Sequence, residues 1–206
     1  GGILEFGTRL PQRDSAFCFD PETRHIEQID MSIFYKKLHK SGISELNIEA
    51  SAVVKDYLLF GSRGNLTNSQ NYLIQTSALD FPHISSFKII SLNLNDEAGI
   101  SGMAYLAQQD ILLITSSKEN TDTAYDDGEI GESYLGIIYN ISSKLASSKV
   151  IPDEWIALSG LHADFNREKI ESICIIPSKN EDDITVILVS DDDKGGTRLF
   201  SLKLNL

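Results

Sequence analysis

Ile48-Glu49-Ala50-Ser51-Ala52-Val53, Ile100-Ser101-Gly102-Met103-Ala104-Tyr105 and Ile170-Glu171-Ser172-Ile173-Cys174-Ile175 share one pattern. Each reads isoleucine, a polar residue, a small residue, then a short apolar strand. Each is followed by a turn and a second run that ends in small polar residues: Tyr57 to Asn65, Ile111 to Ser116, and Val186 to Asp191. The onsets are 52 and 70 residues apart. A four-stranded propeller blade repeats every 40–50 residues or so. An acidic insertion, Lys118 to Ser133, accounts for the longer interval. The repeat therefore predicts an all-β protein, a β-propeller of four-stranded antiparallel blades starting near residues 48, 100 and 170. The small residues Ala50, Gly102 and Ser172 belong where blades converge. A β-sandwich is the rival architecture, but it gives no reason for the repeated signature.

Working outward, short runs rich in Ile, Val, Leu, Tyr and Phe, bounded by Gly, Asn, Asp and Ser, fill the remainder of the chain. Helix is expected from Met31 to about Lys40, with Asp30 as N-cap, Phe34 and Leu38 on one face, and Ser41-Gly42 at its end. One more helical turn is expected over Pro152 to Leu158. Before Glu49 the count gives three strands of a first blade; after Glu171 it gives three of a last. The missing strands would lie upstream of Gly1. Residues 1–206 are thus read as a single propeller domain, incomplete at the N-terminus, from the C-terminal portion of a six-bladed ring.

Charge narrows the function. Eighteen basic against 30 acidic residues give a net charge of −12. Such a surface repels phosphate backbones, which argues against nucleic acid and favours cations. No apolar stretch of about 18 residues is present, so no membrane span is expected. Cys18 and Cys174 lie in apolar runs and are expected to be buried free thiols. His25, His39, His83 and His162 lack metal-ligand spacing, and no Gly-x-Ser-x-Gly elbow is found.

In a propeller, the residue opening each innermost strand and the residues ending the second strand meet at one channel mouth. The first set is Glu49, Ser101 and Glu171. The second is Thr8 and Arg9, Arg63 and Asn65, Lys118, Glu119 and Asn120, and Asp191 and Asp192. Three chemistries fit this rim. Glu49, Glu171 and Asp191 suit a hard divalent ion such as Ca²⁺. Arg63 and Lys118 beside the carboxylates suit a small polar ligand, or a protein partner. The same ion pairs could instead simply knit blades together. No catalytic residue is assigned, although Glu49 and Glu171 would serve as acid and base if they approach in a desolvated channel. Within the insertion, Asp126-Asp127-Gly128-Glu129 lacks the alternating spacing of an EF-hand and reads as an exposed acidic loop.

Three stretches carry a family resemblance: Leu46 to Val53 with Arg63-Gly64-Asn65, Glu119 to Glu129, and Lys169 to Cys174 with Ser190 to Asp193. The Asp30 to Leu38 helix accompanies them. Through these the chain resembles an uncharacterised bacterial β-propeller family, a domain of unknown function, whose wider relatives include phytase-like and SdiA-regulated propellers. The resemblance implies the propeller fold, a bacterial protein and a place to look, and no activity. The rim residues are read as binding a small polar ligand or partner at the mouth, in a soluble protein, cytoplasmic or periplasmic. The alternative, by analogy with the distant hydrolase relatives, is a Ca²⁺-assisted hydrolase of phosphoester or lactone type.

Overall fold

In a computed structural model, the structure describes residues 3–6, 14–43, 46–64, 69–95, 97–120, 129–176, 184–191 and 195–206. The strands in chain order are β1 (Ile3–Phe6), β2 (Ser15–Asp20), β3 (His25–Asp30), β4 (Ile48–Val54), β5 (Tyr57–Ser62), β6 (Asn71–Ser77), β7 (Lys88–Leu92), β8 (Gly99–Leu106), β9 (Ile111–Asn120) and β10 (Glu129–Tyr139). They continue with β11 (Lys149–Val150), β12 (Glu154–Ala157), β13 (Lys169–Ile176), β14 (Ile184–Asp191) and β15 (Thr197–Leu204). Among the described residues strand far outweighs helix, so the all-β expectation holds.

The strands form four sheets. Sheet 1 is β1-β2-β3, sheet 2 is β4-β5-β6-β7-β11, sheet 3 is β8-β9-β10-β12, and sheet 4 is β13-β14-β15. Every pairing is antiparallel except the two-residue parallel contact of β11 with β7. The sheets pack in series. Ala16 and Ile29 of sheet 1 meet Ile48, Leu58, Phe60 and Ile74 of sheet 2. The opposite face of sheet 2 (Ala50, Leu59, Leu73, Ile90) meets Ile100, Met103, Leu112 and Ile114 of sheet 3. Leu113, Leu135 and Ile137, on the other side of sheet 3, meet Ile170, Ile173, Val186 and Leu188 of sheet 4. Sheets 2 and 3 are covered on both faces, which a sandwich of two sheets does not do. Their strands accordingly read as near-continuous apolar runs rather than strict alternation. Each fully buried Leu or Ile contributes about 1.5–3 kcal/mol.

The helix α1 (Ser32–Lys40) lies where the sequence puts it, but its N-cap is Met31, without a side-chain cap bond, and not Asp30. Asp30 Oδ1 accepts a hydrogen bond from the Ser32 amide at 2.8 Å, and the helix ends at Ser41 with Gly42 at φ 101°. That left-handed backbone favours glycine. Phe34 drives the apolar face against Phe60 and Phe87, with ring centroids 5.6 and 5.7 Å away.

Four expectations are corrected. Pro152 to Leu158 is not a helical turn: Glu154–Ala157 is the outer strand of sheet 3, paired with β10. Trp155 sets this, stacking on Tyr134 at 5.0 Å between centroids and lying over Gly136. A Cβ on Gly136 would stand 3.0 Å from the indole, so the missing side chain makes room for it. Second, an unanticipated helix, α2 (Ile141–Lys144), follows β10. Lys88 Nζ donates to the carbonyls of Leu145 and Ala146 at its end, at 2.7 and 2.6 Å. Third, the acidic insertion is part strand, since β9 runs on to Asn120 and β10 begins at Glu129. Glu132 is half-buried and accepts hydrogen bonds from the Ser159 amide, at 3.1 Å, and hydroxyl. Residues 121–128, which hold Asp122, Asp126 and Asp127, lie outside the described residues. Fourth, both cysteines are free thiols but neither is buried: Cys18 is half-buried and Cys174 exposed.

Candidate functional site

The repeated Ile-polar-small signature is a β-bulge, present three times. Ile48 pairs with Ser62 and Ala50 with Gly61, which leaves Glu49 as the extra residue. Ile100 pairs with Ser116 and Gly102 with Thr115, leaving Ser101. Ile170 pairs with Ser190 and Ser172 with Val189, leaving Glu171. A bulge frees one residue from the ladder, sharpens the local twist and re-aims its side chain. The polar member of each repeat is the residue so released. The serines opposite each isoleucine, Ser62, Ser116 and Ser190, are all buried.

Small residues beside the bulges let the sheets approach. A Cβ on Gly102 would stand 2.6 Å from Thr115 Oγ1, 3.1 Å from Ser172 Cα and 3.2 Å from the Ile173 nitrogen. The backbone of β8 thus rests against the backbone of β13.

Between β4, β8 and β13 lies an open cleft of about 540 Å³. Glu49, Ser101 and Glu171 line it beside the apolar wall of Met103, Tyr105 and Ile173. Lys169 Nζ stands 3.2 Å from Glu171 Oε1 in ion contact. Beyond this contact, Oε1 is buried and meets no further donor among the described residues. Burial raises the Glu171 pKa above the usual carboxylate value; the charges of Lys169 and Arg63 oppose this, and that of Glu49 adds to it. Glu49 and Glu171 are therefore electrostatic neighbours, as their shared repeat position requires.

The other residues singled out from sequence divide. Arg63 crosses to the next sheet: its Nη2 donates to the Ser117 carbonyl at 3.2 Å, and its side chain lies across Gly99, where a Cβ would come within 2.5 Å of it. Ser101 is turned to structure, donating to the Ile170 carbonyl at 2.5 Å and accepting from the Thr115 hydroxyl at 3.2 Å. Lys118 is half-buried in β9, and it is Lys169 that meets Glu171. Asp191 is exposed at the end of β14, opposite Lys169 in the ladder. Glu119 and Asn120 pair with Ile130 and Glu129 in the β9–β10 ladder. Thr8, Arg9, Asn65 and Asp192 lie outside the described residues. Among the described residues, no group of three or more His, Cys, Asp or Glu is placed to hold a metal ion.

Sequence reading missed two inter-sheet clamps. Asn71, which opens β6, accepts from the Ile100 amide at 2.9 Å and donates to the Ala98 carbonyl at 2.9 Å. Ser133, on β10, accepts from the Ile170 amide at 3.2 Å and donates to the Glu168 carbonyl at 2.7 Å. Each clamp grips the amide of the isoleucine just ahead of a bulge. Lys169 could have been found, because residues two apart on a strand share a face.

Four sheets in series, with a cleft walled by three bulged strands, define an all-β protein whose repeat brings polar groups to one place. The chain belongs to a family described as Family of unknown function (DUF6929), whose pattern matches residues 3–204. No curated protein matches it. Among the described residues, no helix is long and apolar enough to cross a membrane.

Proposed function

We propose that the four sheets are consecutive blades of a β-propeller related to the phytase-like and SdiA-regulated propellers, and that the mouth marked by the three bulges binds a small polar ligand that donates hydrogen bonds. The observation that carries this reading is Glu171: its Oε1 is buried on a cleft wall, on a residue that a bulge has released from the ladder, and meets the Lys169 ammonium at 3.2 Å with no further donor among the described residues. A carboxylate can accept several hydrogen bonds, so one ammonium leaves this buried group able to take a ligand's donor. Lys169 beside it supports a ligand over a Ca²⁺ cage, because an ammonium stands where a hard cation would need another oxygen. The apolar wall opposite supports an organic ligand over a bare ion.

Ligand-observed NMR with a panel of free amino acids, polyamines, sugars and sugar phosphates, and a separate titration with CaCl₂, tests the reading. The expected result is a compound from the panel whose signal is lost in both Glu171→Gln and Glu49→Gln, with the circular dichroism spectrum unchanged. Binding of Ca²⁺ alone, binding indifferent to both substitutions, or no binding by any panel member would overturn it.

A further inference from the structure

Four charged groups meet at the cleft, two of each sign. Glu49 and Glu171 line it, and the charges of Lys169 and Arg63 act on Glu171 from beside it. Lys169 and Glu171 are in ion contact at 3.2 Å, their side chains only 15% and 26% exposed. Arg63 rests its guanidinium on the Ser117 carbonyl. Asp191 opposes Lys169 in the ladder but is exposed, so water and salt screen it. The charges at the cleft therefore balance among themselves before any ligand arrives.

A ligand of either sign meets a like charge here. A cation that reaches Glu171 comes up against Lys169, and an anion that reaches Lys169 comes up against Glu171 and Glu49. In a half-buried place such a clash costs more than it would in water. A hydroxyl avoids it, because one hydroxyl donates to a carboxylate and accepts from an ammonium at once. Each carboxylate accepts several such bonds, so neighbouring hydroxyls on one molecule suit it. Met103, Tyr105 and Ile173 give the cleft an apolar wall as well. Tyr105 is held in place: its hydroxyl donates to Asp110 Oδ1 at 3.0 Å, and Asp110 Oδ2 accepts from the Ser142 hydroxyl at 2.6 Å. A side chain already fixed loses little freedom when a ligand packs on it. The cleft volume, about 540 Å³, falls within the roughly 300–1,000 Å³ of small-molecule sites.

We propose that the ligand of this mouth is an uncharged sugar, with neighbouring hydroxyls on Glu49, Glu171 and Lys169 and its C–H face on Met103, Tyr105 and Ile173; the inference rests on reading the mouth as a ligand site. A sugar ring carries both surfaces the cleft offers partners for, hydroxyls round its edge and C–H groups on its faces. A polyamine brings only positive charge and a sugar phosphate only negative. An amino acid brings both signs, but it needs a carboxylate and a cation held apart, whereas Lys169 and Glu171 already face one another.

Saturation-transfer NMR titrations compare glucose, galactose and mannose, each with its 2-amino form and its uronic acid, beside glycine and spermidine. At least one uncharged sugar is expected to bind at least about tenfold more tightly than both charged forms of the same sugar. Its affinity is expected to be the same at low and at high NaCl, because no net charge is exchanged. Lys169→Gln leaves two carboxylates against Arg63 alone, so there the 2-amino form is expected to gain on the uncharged sugar. A charged compound that binds more tightly than every uncharged sugar, and is lost in both Glu171→Gln and Glu49→Gln, overturns this inference and leaves the ligand site standing. Affinity for the uncharged sugar that falls as NaCl rises overturns it too. So does a Lys169→Gln variant with an unchanged circular dichroism spectrum and an unchanged order of preference. If that variant does not fold, the native protein's preference and its salt dependence decide. No binding that depends on the two glutamates, by any of these compounds, sinks the ligand site and this inference together.

Discussion

Glu49 and Glu171 stand on equivalent bulges two sheets apart, and the charge on Glu49 adds to burial in keeping Glu171 protonated to higher pH than an ordinary glutamate. The raised pKa has a consequence for stability. In the unfolded chain Glu171 ionises at its ordinary value; in the folded chain it ionises later. Its contribution is fully present below the unfolded pKa and is lost as pH rises through the folded pKa. Glu171→Gln removes the titration while keeping the shape. The melting temperature of Glu171→Gln minus that of the native protein is therefore expected to grow from pH 4 to pH 7, in calorimetry at constant ionic strength. A difference that stays flat or shrinks would show that Lys169 and Arg63 outweigh burial.

The clamps Asn71 and Ser133 are expected to act independently, since they hold different sheet pairs and share no partner. Asn71→Ala strands the Ile100 amide and the Ala98 carbonyl in a buried place, and Ser133→Ala does the same to Ile170 and Glu168. Each loss costs about 1–3 kcal/mol. Urea unfolding should give a double variant whose loss equals the sum within about 0.5 kcal/mol. A sum that falls well short would mean that the two sheet interfaces are coupled.

The repeat was legible because a bulge makes a demand on sequence. It needs one extra residue, here polar, followed by a residue small enough for the neighbouring backbone to approach. Glu49-Ala50, Ser101-Gly102 and Glu171-Ser172 meet that demand. The helix α1 was legible from Phe34, Leu38 and Gly42, which carry face and stop, while Asp30 meets the Ser32 amide from one residue ahead of the cap. By contrast, β12 could not be read, because Trp155 is held by Tyr134 and by the absent side chain of Gly136, both distant in sequence. With four residues, α2 is too short to show periodicity. Lys118 matches the strand-end pattern of the rim, whereas Lys169 meets Glu171 from its own strand two residues away. Ser101 matched its repeat position yet went to structure, since the Ile170 carbonyl it meets belongs to the next sheet.

Leu135 and Leu199, paired with Thr115 in sheet 3 and Val189 in sheet 4, offer a paired test of burial at one ladder position. Leu135→Ala opens a hole between sheets 3 and 4 and is expected to cost about 2–5 kcal/mol. Leu199→Ala in residues 1–206 removes an exposed side chain and should change stability by less than about 0.5 kcal/mol. Chemical denaturation of the two variants checks this. A cost for Leu199→Ala close to that of Leu135→Ala would mean that Leu199 is covered in solution.

Gly102 is where the fold and the candidate site depend on one atom. Its Cα faces the backbone of β13, so an added methyl group cannot be accommodated by turning a side chain: Ser172 Cα at 3.1 Å and the Ile173 nitrogen at 3.2 Å would have to move, and Thr115 Oγ1 at 2.6 Å with them. Moving β13 carries Glu171 away from Glu49 and weakens the hydrogen bond from Ser101 to the Ile170 carbonyl. Gly102→Ala is therefore expected to destabilise by about 1–3 kcal/mol, the usual cost of overpacking. Gly160→Ala is the control, because nothing lies within 4 Å of its added Cβ. Thermal unfolding of the two variants should separate them by several degrees, at about 2–4 °C for each kcal/mol in a chain of this size. The same displacement predicts a second readout. With Glu49 farther off, the charge that helps raise the Glu171 pKa weakens, so the pH-dependent part of the stability should shift toward lower pH in Gly102→Ala and stay in place in Gly160→Ala. A Gly102→Ala variant as stable as the native protein, with its pH profile unmoved, would show that sheets 3 and 4 do not rest on this contact.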